Sequence, residues 1–184
     1  MPRDRKWVGR IAAETPLSEA GKQTLRSRLR MLWPNWKRAG KRRDVEAVHQ
    51  LRVATRRIHA ALAAYDAVLP SGKRRRLKKY LRSVRRSAGA LRDLDVLIER
   101  ITPQLVASDH PQAPALLKEL RRWQTRARKP VVAASKKGVR VRAKKLARKL
   151  IHGAKWRGEG EEPLVREEAA RCFQNQREAF TIAL

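Results

Sequence analysis

The sequence predicts an all-α fold on three observations. Apolar residues recur three and four apart along several long stretches, the breaks between these stretches carry proline or glycine, and no alternating apolar and polar run reaches strand length. The economical arrangement of about six such helices is an antiparallel bundle of long helices with their apolar stripes turned inward.

The first helix is expected at Thr15-Pro16, where a hydroxyl suited to capping free amides precedes a proline suited to a first turn. Leu25, Leu29, Leu32 and Trp36 carry its stripe towards Arg38. Pro34 lies inside that pattern and should kink or tighten the last turns, because it removes a donor and crowds the preceding carbonyl. Gly40 lets the chain turn. Asp44 suits the N-cap of a second helix, whose stripe is Val48, Leu51, Ile58, Leu62, Tyr65 and Leu69 and which stops at Leu69-Pro70-Ser71-Gly72.

From Lys73 a third helix sets Leu77, Leu81, Val84, Ala88, Leu91, Asp95 and Ile98 at alternating spacings of four and three, a heptad-like seam in which Asp95 alone is polar. Arg75, Lys79, Arg82 and Arg86 follow the same spacing on roughly the opposite face. Thr102 to Pro114, with three prolines, reads as a loop. Helical spacing resumes with Leu116, Leu120 and Trp123, is interrupted at Pro130, and returns through Val139, Leu146 and Leu150. A last helix is expected from Pro163 to Phe180.

Charge narrows the function. The 184 residues hold 46 Lys and Arg against 17 Asp and Glu, a formal net charge of +29, which favours a partner with dense phosphate or another repeating anion. With 42% apolar residues the chain can still bury a core, so it is no disordered basic tail. The cations are clustered. Between Asp66 and Asp93 there is no acid but ten Lys and Arg, and between Lys118 and Arg157 the only acid is Glu119. Glu159, Glu161, Glu162, Glu167 and Glu168 follow closely, either capping the last helix or folding back on a basic face.

Cys172 is the single cysteine, which excludes an internal disulfide and a thiolate metal cluster and fits a reducing, cytoplasmic setting. Residues 1–14 are expected to be a flexible basic segment ahead of a helical domain over 15–184. They lack the apolar core of a secretion signal, and no stretch approaches the length of a membrane span.

The most informative stretch is Asp44-Val-Glu-Ala-Val-His49-Gln-Leu-Arg52-Val-Ala-Thr-Arg56-Arg57. At about 100° per residue, His49, Arg52, Arg56 and His59 fall within a sector roughly 80° wide, apart from the core stripe. One helix thus offers a core face and a cationic face. Arginine suits phosphate oxygens because its planar fork makes two hydrogen bonds at once and keeps its charge at any working pH. His49 adds a donor, and a bound polyanion would raise its pKa.

This stretch, followed by Leu69-Pro70 and then by Gly89-Ala-Leu-Arg92-Asp93-Leu-Asp95-Val96, resembles the CHAD domain, an α-helical module named for its histidine. Weaker similarity continues through Trp156 and Pro163-Leu164 to Cys172-Phe173. The resemblance implies two pseudo-symmetric four-helix bundles that bind inorganic polyphosphate on a basic surface without catalysis. Carried onto this sequence, it implies a binding surface of His49, Arg52, Arg56 and Arg57 with the third-helix cations Arg75, Lys79, Arg82, Arg86 and Arg92. Relatives open a second half-bundle with another basic helix. This chain stops at Leu184 before such a segment, so the expectation is a first bundle plus linker helices, with self-association or a partner chain burying the apolar surface left over. Association with polyphosphate granules is the corresponding location.

Other readings are weighed against this one. Asp93 and Asp95 are expected to make structural ion pairs and inter-helix hydrogen bonds, since two acids at i and i+2 do not share a helix face. Asp93 is placed to orient an arginine of the motif. No metal site is expected: His49 and His59 are about 15 Å apart along one helix, and His110 and His152 have no ligand-spaced partner. No cofactor is called for. A phosphate-handling enzyme is not expected either, because the sequence has no Gly-rich phosphate loop and no carboxylate cluster for magnesium. Glu159-Gly-Glu161-Glu162-Pro163 also lacks the lysine of the triphosphatase domain that accompanies many CHAD modules. Nucleic-acid binding is the main rival, with Trp33, Trp36, Trp123 and Trp156 among cations as the aromatics available to stack on bases.

Overall fold

The computed structural model describes residues 11–41, 44–108 and 110–182, with side chains described as far as residue 175. The expectation of flexibility over residues 1–10 lies outside the described residues. Six α-helices and one short 3-10 turn make up the described chain: α1 (Leu17–Ala39), α2 (Val45–Ala64), the turn Asp66–Val68, α3 (Ser71–Ala107), α4 (Ala113–Ala134), α5 (Lys137–His152) and α6 (Val165–Ile182).

The 37-residue α3 is the spine. Short connections fold α1, α2 and α3 into antiparallel neighbours, and α4 and α5 together run back along α3. Hence α2 and α5 pack on α3 and α1 packs across α2 and α5 from the far side, while α4 runs along α3 and is joined to it at Asp95. The core follows the expected stripes. Leu25, Leu32, Trp36, Leu51, Ile58, Leu62, Leu77, Leu81 and Leu150 are fully buried. Each such side chain gains roughly 1.5–3 kcal/mol by leaving water. Ile98, the last member of the predicted seam, is only partly buried.

Several junctions show how sequence fixes these contacts. Trp36 donates its indole N–H to the Ala134 carbonyl at 3.2 Å, satisfying a carbonyl at the end of α4. A side chain at Gly40 would overlap Ser135, so the end of α1 approaches the α4–α5 corner as closely as only glycine allows. Tyr65 packs its ring against Gly21 and its hydroxyl lies 3.2 Å from Thr24 Oγ1.

Four local expectations change. Pro16, not Thr15, occupies the N-cap of α1, and no side chain of its own turn caps it. The cap comes instead from Glu162, whose Oε1 accepts the Ser18 N–H at 2.5 Å, so part of the acidic cluster folds back on the first helix. Glu167 caps locally, accepting the Leu164 N–H at 2.9 Å ahead of α6. Thr102 to Pro114 is mostly helical: α3 runs through Pro103 to Ala107, and Pro114 lies in the first turn of α4. Pro114 falls in a first turn, where the N–H has no helical partner to lose, whereas Pro103 lies inside α3 and costs it one hydrogen bond, the one to the Glu99 carbonyl, four residues before the helix ends. Pro130, expected as an interruption, lies inside continuous α4, whereas Pro34 lies inside α1 as expected. Residues 11–14 are tied to the start of α6, the Ala13 carbonyl accepting Arg166 N–H at 3.0 Å.

Candidate functional site in the groove between α2 and α3

The opening turn of α2 is held firmly. Asp44 Oδ1 accepts the Ala47 N–H at 2.7 Å as the predicted cap, while Oδ2 receives Arg38 Nη2 at 2.7 Å and Nε at 3.0 Å. The Ala47 amide, and after it the Arg38 guanidinium, hold this carboxyl below the usual carboxylate range. Behind the cap, Ala47, Val48, Leu51, Ala54 and Ile58 are buried against the core. Burial of that stripe fixes the rotation of the helix and so the direction in which His49, Arg52 and Arg56 project.

These three side chains form one wall of an open groove of about 780 Å³. The other wall is the middle of α3, with Arg85, Arg86 and Arg92 as its cations, and Val53, Ala90 and Val96 add apolar surface. Asp93 is the one acid in the lining. Its Oδ1 lies 3.5 Å from Arg52 Nη1, with 74% of the Asp93 side chain and 38% of the Arg52 side chain exposed. An ion pair so long and so wet contributes little to stability. It does orient Arg52 across the groove.

Gly89 makes that crossing possible. It is buried under Arg52, and a Cβ there would lie 2.8 Å from Arg52 Nη1. The absent side chain leaves the space through which the guanidinium reaches α3.

Of the nine residues predicted to bind, His49, Arg52, Arg56, Arg86 and Arg92 line the groove. Arg57, Arg75, Lys79 and Arg82 are not among its lining residues. Arg57 stands instead towards α1, close enough to Arg28 that its charge adds to burial in lowering the Arg28 pKa. Arg82 lies near His59, beside Arg85 and Lys78. The lining residues not predicted as ligands include Arg85 and Gly89. Their signal is present in the sequence as Arg85, Gly89, Arg92 and Val96, spaced four, three and four, which marks the α3 flank adjoining α2. The predicted row of Arg75, Lys79, Arg82 and Arg86 lies further round towards solvent, and only Arg86 reaches the groove.

His59 shares the cationic sector of α2 but does not line the groove. Its Nε2 is buried with no hydrogen-bond partner. Burial first, then the charges of Arg85, Lys78 and Arg82, lower its pKa. Asp95 points the other way from Asp93: it is 6% exposed, and its Oδ1 accepts Gln124 Nε2 at 2.7 Å, joining α3 to α4. Among the described residues no three His, Cys, Asp or Glu side chains gather as a metal site would need.

A family model for the CHAD domain matches residues 23–182, nearly the whole chain. The chain belongs to the CHAD domain family. The match spans both walls of the groove, Glu162 and the whole of α6. Comparison with curated proteins and with solved structures returned no match. No described helix of this CHAD protein is long and apolar enough to cross a membrane.

Proposed function

We propose that this CHAD protein binds inorganic polyphosphate in the α2–α3 groove and does so without catalysis. The observation that carries the reading is the convergence of six basic side chains from two helices on one groove with a single acid, Asp93, among them. Polyphosphate presents repeating anionic oxygens and no bases, so its receptor needs spaced donors on a stiff support. Arg52 and Arg56 stand one turn apart on a helix whose opposite face is buried, and Arg85 and Arg92 face them from α3. Neutralising these charges with a polyanion also relieves repulsion within a chain of net charge +29, so binding should stabilise the fold. We place this activity in the cytoplasm, at polyphosphate deposits.

Nucleic acid fits the groove less well. No aromatic residue lines it. Trp36 is fully buried and stacks at 5.8 Å on Trp33, while Trp156 donates its N–H to the Gly160 carbonyl. Trp123 is 47% exposed but lies on α4, away from the groove lining. The test is competition of labelled polyphosphate against single- and double-stranded DNA of equal charge at matched salt. Preference for polyphosphate is expected, and tighter DNA binding overturns the reading. Polyphosphate hydrolysis above background that disappears on changing Asp93 to Asn would instead establish an enzyme.

A further inference from the structure

We propose a second anion-binding site, separate from the groove, that takes a compact anion of a few linked phosphates, of which inorganic triphosphate is the simplest. It is an open bowl of about 700 Å³ formed where α1, the start of α3 and the end of α5 meet. Arg26 comes from α1, Lys73 from α3, and Arg148, Lys149 and His152 from α5, with no acid in the lining. Lys73 precedes Arg85 by twelve residues of α3, about 18 Å along the helix. The bowl and the groove are therefore distinct sites.

The frame of the bowl is fixed. Gly153 rests against Pro70, where a Cβ would lie 3.1 Å from the proline Cγ, so the end of α5 is pressed to the start of α3. Lys155 N–H donates to the Val68 carbonyl at 3.0 Å. The Arg157 guanidinium donates to the carbonyls of Gly153 at 2.6 Å, Lys155 at 2.8 Å and Val68, clamping the turn behind the bowl. Ile151 is buried and supplies an apolar base.

Lys149 and His152 have a partial explanation without any ligand, because cations in a last turn compensate the carbonyl end of a helix. That account does not reach Arg26 or Lys73, which belong to other helices. Arg26 has Glu19 only at 4.0 Å, the limit of an ion pair, with 58% of its side chain exposed. Lys73 lies in the first turn of α3, which carries no acid and no side-chain cap, so its free amides add to the positive field. Five basic groups brought together from three helices suit a short, highly charged anion that touches them all at once. The groove, with its cations ranged along two helices, suits a chain.

The test uses the full chain and inorganic triphosphate, titrated calorimetrically at low salt. The double variant Lys73→Ala/Lys149→Ala is expected to weaken the tightest triphosphate binding by about tenfold or more, and Arg52→Ala/Arg56→Ala to leave it within about twofold. Lys149→Arg should retain binding, and circular dichroism should show unchanged helicity in all variants. Loss in the groove variant instead, equal loss in both, loss in neither, or no triphosphate binding by the unaltered protein overturns the proposal. The same variants titrated with long-chain polyphosphate test the groove separately.

Discussion

The α2–α3 groove and the outer face of α4 carry nearly equal positive charge and differ in how that charge is held. On α4, Lys118, Arg121, Arg122, Arg126 and Lys129 stand along one helix. Arg122 is paired with Glu119 at 3.0 Å, 59% exposed. Among the described residues no second element adds to this lining, so each side chain must lose its own freedom to hold an anion. In the groove two helices locked by a shared core aim their cations at one space, and Gly89 clears the path for Arg52. Equal charge thus gives a diffuse patch in one place and a preorganised site in the other.

The comparison can be broken first by paired deletions. Arg52→Ala/Arg56→Ala should weaken long-chain polyphosphate binding by about tenfold or more, against roughly two- to threefold for Arg121→Ala/Arg126→Ala, measured by fluorescence competition at fixed salt. Gly89→Ala separates position from charge. The new methyl displaces the end of Arg52, so affinity should fall several-fold while thermal stability holds or rises, alanine favouring a helix interior by about 1 kcal/mol. Asp93→Asn should raise affinity by about two- to threefold, because removing the one negative charge in the lining outweighs the loss of a long, exposed contact to Arg52.

The smallest effect concerns pH. A lowered His59 pKa means that the folded state binds fewer protons than the unfolded one as pH falls below the ordinary imidazole value of about 6.5. Its contribution to stability is therefore complete above that value and is lost on acidification. A polyanion in the groove lies over Arg85 and offsets that part of the field, which eases protonation of His59 while its burial remains, so affinity should gain slightly more between about pH 7.5 and about pH 6 in the unaltered protein than in His59→Gln. No histidine lies in α4, and binding there would show no such difference between the two proteins.

The helices were legible because burial imposes a period, and Val48, Leu51, Ile58, Leu77, Leu81 and Val84 keep it without interruption. Asp44 was legible as a cap because its chemistry is local. Glu162 was not, since it caps α1 from across 144 residues of chain. Prolines misled between Thr102 and Pro114 because a first turn accepts Pro114 and α3 continues past Pro103 at the loss of one hydrogen bond, and spacing alone does not say where an end falls. The α2 wall of the groove could be read from one helix. The α3 wall needed to know which flank of α3 adjoins α2, and this made Arg85 a lining residue and left Arg75 and Lys79 outside.

The most direct measurement is the salt dependence of polyphosphate binding, taken as log K against log salt. If the groove holds the chain, the slope should drop by about one for each arginine removed in Arg52→Ala and Arg56→Ala and stay unchanged in Arg121→Ala. An equal drop in all three variants would mean that polyphosphate reads total charge, and that the groove has no special part in holding it.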